Sequence, residues 1–190
     1  MSAPKRFAIC LTLVLCYIPF LRASVPQAPA QLSCDPQEIL EAVARQMNVA
    51  LRPDIPRPAI RLESATPLRR FQNAIAAQWS YRPGVFANAY AVGTNEIYLI
   101  DEAAYYKRMH RTIDDSLAHE LVHYLQVHYF GADCSRDDCE PDAVALQEWF
   151  RESYAPPAGH DGHDDSVVAV AVRHADAAAA CKRRQPPVSG

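Results

Sequence analysis

The sequence has no basic stripe, no C-x-x-C pair and no internal repeat. The first absence, with a formal net charge of -3 over 190 residues, argues against nucleic acid as the main partner. The second removes the usual basis for a thiolate metal site. Long apolar runs are also scarce. Phe7 to Leu21 only just approaches the length of a membrane span.

That run has a different meaning in context. Lys5 and Arg6 precede it and small residues follow it, with Ala23 and Ala30 as candidate cleavage positions. Residues 1–30 therefore have the plan of a secretory signal peptide, with an uncleaved N-terminal anchor as the competing reading. The expected location is secreted or periplasmic, with no membrane attachment after cleavage. About 160 residues remain, enough for one domain with a sizeable core. We expect that domain over 31–155, and a linker, short helix and tail over 156–190.

Of six cysteines, Cys10 and Cys16 fall in the leader. The other four are even in number in an exported chain, which favours disulfides. The expected pairs are Cys134–Cys139, a local clip, and Cys34–Cys181, which ties the tail back.

Asp35-Pro36 reads as a helix cap followed by a helix to about Met47. Ala59–Leu62 has room for a short strand, and Thr66-Pro67 is a second cap before Leu68, Phe71, Ile75 and Trp79. Val85–Val92 and Glu96–Ile100 are β-type runs around "GTN", which predicts a hairpin. Helices are expected again from about Asp115 to Phe130, ended by Gly131, and over "CEPDAVALQEWF". The fold class expected is α+β.

The chemistry concentrates in "SLAHELVHYLQ". His119 and His123 are one helical turn apart and can share one ion. Zn²⁺ suits two imidazoles and an open position for water, and Glu120 beside them is placed as the general base. Leu117, Leu121, Tyr124, Leu125 and Tyr129 give this amphipathic helix its packing face.

A third ligand is still needed. The metzincin pattern requires Gly at 126 and His at 129, and the chain has Gln126 and Tyr129 there. His128 is one residue off that register and points away. A downstream carboxylate is the alternative: Glu140, with small Ala143 allowing close helix approach, or else Asp142.

In these residues, from about Asn88 to Phe150, the chain resembles the gluzincin-type zinc metallopeptidases. That resemblance implies a zincin-like fold, with a small antiparallel sheet or hairpin beside the motif helix and additional packing helices. It implies a peptide substrate lying along an edge strand, for which Asn95–Ile100 is the candidate. It also implies an oxyanion donor, for which Tyr154, His160 and His163 are available. One departure is Val144, where the family places an aspartate supporting a ligand histidine; Asp115 or Asp142 would have to serve instead. The expected activity is hydrolysis of a peptide (amide) bond by metal-activated water, with one Zn²⁺ per chain. The alternative is a catalytically silent zincin-fold binding module with a structural zinc.

Overall fold

The computed structural model describes residues 28–134 and 138–154. Most of the expected signal peptide, Cys181 with its expected bond to Cys34, and the expected C-terminal helix lie outside those residues.

Helix α1 (Pro36–Gln46) begins where Asp35 accepts the Gln37 N–H at 2.7 Å, with proline in the first turn. Ile39, Leu40 and Val43 on its inner face are buried. Strand β1 (Ala59–Leu62) follows the proline-rich segment, and helix α2 (Leu68–Trp79) buries Phe71 and Ile75. The expected Thr66-Pro67 cap needs correction: Pro67 holds the cap position and no side chain bonds there.

Strands β2 (Ala89–Ala91) and β3 (Glu96–Leu99) pair antiparallel around a 3-10 turn. The hairpin is present, with a shorter first strand than Val85–Val92. The wholly antiparallel sheet is not: β1 joins β3 in parallel, in the order β1-β3-β2. Parallel neighbours need a crossover, and α2 with β2 provides it. The chain is thus α+β with a mixed sheet.

Alternation along β3 splits its side chains between two layers. Ile97 and Leu99 join the main core with Tyr90, while Tyr98 packs with Phe71, Ile75 and Phe86 on the α2 side. The buried Glu96 accepts hydrogen bonds from Tyr98 (2.6 Å), Arg70 (2.6 Å) and Arg61 (2.9 Å). Burial alone would raise its pKa. These three donors outweigh burial and hold the carboxyl at about 2.

Helices α3 (Ala103–Met109), α4 (Ile113–Phe130) and α5 (Glu140–Tyr154) complete the fold. A reciprocal capping box starts α4: Thr112 Oγ1 accepts the Asp115 N–H at 3.1 Å, and the Asp115 carboxylate accepts the Thr112 N–H at 2.8 Å. Gly131 ends it at φ 68°, in the left-handed region where a side chain is strained. An amphipathic helix with one packing face was the expectation. Instead 12 of its 18 residues are buried, because α1, α5 and the sheet all pack around it. Fully buried Ala143 lets α5 lie close, and Gln147 Nε2 donates to the Asp115 carbonyl at 3.1 Å. Cys134 and Cys139 are bonded, clipping the α4–α5 connection as expected. No helix among the described residues is long and apolar enough to cross a membrane.

Candidate metal centre and its cleft

One turn of α4 brings His119 and His123 together, with their Nε2 atoms 3.2 Å apart. Glu140 opens α5 and meets both. Its Oε2 is 3.4 Å from His119 Nε2, and its Oε1 is 3.4 Å from His123 Nε2. Donor atoms of all three lie within 4.8 Å of one another. Asp142 is two residues on, about 200° round the helix, and lines a separate groove with Met47 and Phe130. The structure therefore gathers Glu140 and leaves Asp142 out.

Gln126 decides which imidazole nitrogen is free. Its Nε2 donates to the Cys139 carbonyl at 3.0 Å, so its Oε1 is the atom facing His123 Nδ1, also at 3.0 Å. An amide oxygen only accepts, so Nδ1 carries the proton and His123 Nε2 presents a lone pair. That lone pair faces a carboxylate oxygen, acceptor toward acceptor. A cation shared between them relieves the arrangement. A proton is disfavoured at His119, whose pKa is lowered by burial and then by the neighbouring His123. Two imidazoles and a carboxylate around a shared point are a donor set that suits Zn²⁺.

Glu120 is almost wholly buried on the neighbouring side of the helix. Burial raises its carboxyl to about 8; a hydrogen bond from the Tyr90 backbone opposes this and the Glu140 charge adds to it. A divalent cation beside it would reverse that shift and favour the carboxylate.

Above these residues lie two adjoining pockets that share Asn88, His119 and Glu120. One, of about 220 Å³, is bounded by Trp79, Tyr90 and Glu140. The other, of about 400 Å³, is bounded by Phe86, Tyr105 and Arg111. Asn88 fixes the junction by donating to Ser116 Oγ at 3.0 Å and accepting the Ile100 N–H at 2.7 Å.

Comparison with family models, with curated proteins and with solved structures finds no match. The site must therefore be judged on its own chemistry.

Several expected details are corrected by this geometry. Asn95–Ile100 is not an edge: β3 is the central strand, paired on both sides, and has no free backbone for a peptide. The edge strand at the cleft is β2, which contributes Ala89 and Tyr90 to its wall. Asp115 supports neither histidine, since its carboxylate is taken up by Thr112 and faces Arg151 at 3.5 Å. His119 Nδ1 is buried and has no partner among the described residues. Tyr154 stacks on Phe150 at 4.7 Å and lines neither pocket, while His160 and His163 fall outside the described residues. His128 points away from the centre as expected, bonded to Tyr90 Oη at 2.8 Å. Sequence reasoning missed Gln126 and Arg111. Gln126 is three residues past His123, and that helical spacing was the one available signal.

Proposed function

We propose that this protein is an exported zinc-dependent hydrolase of peptide bonds. One observation supports the reading: His119, His123 and Glu140, from two different helices, bring donor atoms within 4.8 Å of one another, and a buried carboxylate stands beside them. His119 Nε2, His123 Nε2 and the Glu140 carboxylate would hold the ion. Zinc there supplies Lewis acidity toward water and toward a carbonyl oxygen.

The chain's own groups do the rest. Glu120 takes a proton from the attacking water and hands it to the departing amine. Its burial keeps competing solvent from that transfer. Gln126 holds His123 in the tautomer that leaves Nε2 free. An extended peptide would lie across the two pockets, with Asn88 at their junction.

The test is metal analysis of untagged protein purified without chelators, followed by a peptide-library digest. One zinc per chain, with cleavage lost on dialysis against a chelator and restored by zinc, is the expected result. Protein without bound zinc overturns the reading. Zinc retained with no cleavage of any peptide favours the silent binding module. Replacing Gln126 by alanine is expected to weaken zinc binding about 10- to 100-fold, measured by chelator competition. Unchanged affinity would remove Gln126 from the support of His123.

A further inference from the structure

The larger pocket contains chemistry that the hydrolytic centre does not use. Arg111 lines it in company with His119 and Glu120, partly exposed. Among the described residues no carboxylate is within ion-pair distance of its guanidinium. The nearby Asp115 is occupied by Thr112 and faces Arg151. Gln147 lines the same pocket and is 2% exposed. Its Nε2 donates to the Asp115 carbonyl, which leaves Oε1 as a buried acceptor with no donor among the described residues. Such an orphaned acceptor costs stability unless something fills it.

An unpaired cation and an unfilled acceptor in one pocket specify a ligand. It must bring a carboxylate and an N–H. Phe86, Ile100 and Tyr105 give the pocket an apolar wall that suits an aliphatic side chain, alongside the polar Asn88 and Ser116. About 400 Å³ accommodates one or two residues, and one residue of extended chain spans about 3.3–3.6 Å.

We propose that this pocket receives the C-terminal residue of a peptide, with Arg111 binding its α-carboxylate and Gln147 Oε1 accepting its amide N–H. This rests on the zinc-hydrolase reading, which it narrows to removal of single residues from a free chain end. The terminal amide C–N bond breaks. The water oxygen goes to the carbonyl carbon, and the water proton reaches the departing nitrogen through Glu120. The products are a free amino acid and a peptide shortened by one residue. Arg111 acts as a specificity residue, because a peptide lacking the terminal carboxylate leaves the guanidinium unpaired.

Binding of N-acetylated Ala-Ala-Leu tests this without requiring turnover, using full-length Glu120→Gln protein and calorimetry with and without zinc. The free acid is expected to bind about 10- to 100-fold tighter than its C-terminal amide. Arg111→Gln should abolish that preference, and Arg111→Lys should restore part of it. Equal binding of acid and amide, no measurable binding of the acid, or an unchanged preference in Arg111→Gln overturns the proposal. So does equally tight binding of an amidated peptide that carries its carboxylate on a glutamate side chain. These outcomes are independent of whether any peptide is hydrolysed, so a failed hydrolase reading is recognised separately by the metal and digest experiments.

Discussion

Glu120→Gln is expected to retain one zinc ion per chain while peptide hydrolysis falls by about 10²- to 10⁴-fold, the usual contribution of a positioned general base. The amide matches the carboxyl in shape, so packing around this almost wholly buried side chain is kept. It cannot take a proton from water, so only the transfer step is lost. Zinc should stay because the proposed ligands are His119, His123 and Glu140, not Glu120. Turnover equal to wild type would remove Glu120 from the mechanism. Loss of zinc together with activity would instead make it part of the metal's support. The metal-free protein adds a check through its pH dependence. Without a cation, burial raises the Glu120 carboxyl to about 8, above the ordinary 4.5. An acid whose folded pKa is raised holds its proton longer in the native state, so it penalises folding as pH rises between those two values. Metal-free Glu120→Gln should therefore melt at the wild-type temperature near pH 4 and above it at pH 7. Identical melting at pH 7 would contradict the buried, proton-retaining environment.

The parts of this site legible in the sequence are those fixed by local geometry. His119, Glu120 and His123 lie within five consecutive residues of one helix, and helical spacing alone puts both imidazoles on one face. Glu140 was legible because a short connection, clipped by Cys134 and Cys139, limits how far the next helix can start from the first. The Glu140–Asp142 alternative stayed open for a clear reason. Both carboxylates fall in the first turn of α5, and only the rotation of that helix on α4 separates them. Buried Ala143 and the Gln147 bond to the Asp115 carbonyl set that rotation. The sheet was less legible. β1 and β2 have four and three residues, too few for alternation to declare a partner, and the β1–β3 pairing spans an intervening helix. Arg111 was hidden for the same cause, and Gln126 showed only its three-residue spacing from His123. Their full roles depend on Gln147 and Cys139, which are distant from them in the chain. The burial of α4 on nearly every side was also not legible, because its first turn carries the polar Asp114, Asp115 and Ser116. In the fold, Asp114 accepts the N–H groups of Ser33 and Cys34, with Oδ1 at 3.0 and 2.8 Å.

Removing Glu140 should have the largest effect on the metal. The two histidines share one helical turn, so they fix only one side of the ion. Closure from the second helix depends on a single side chain at the mouth of the cleft. Structural zinc sites with four ligands bind with about 10–16 kcal/mol, or about 2.5–4 kcal/mol for each ligand. Glu140→Ala is thus expected to weaken zinc binding about 10²- to 10³-fold, read by competition with a chelator of known affinity. Fold stability should change little, because most of the Glu140 side chain is exposed and its ion-pair partners among the described residues are the two histidines. Asp142→Ala is the matched control. It removes the same charge from the same helical turn, yet it faces the groove beside Met47 and Phe130, and its zinc affinity should remain that of wild type. Long-range electrostatics alone would make the two variants similar. A difference of two powers of ten between them requires direct ligation. If Asp142→Ala proves the weaker binder, the rotation of α5 described here is wrong, and with it the alignment of Gln147 and Arg111 in the larger pocket.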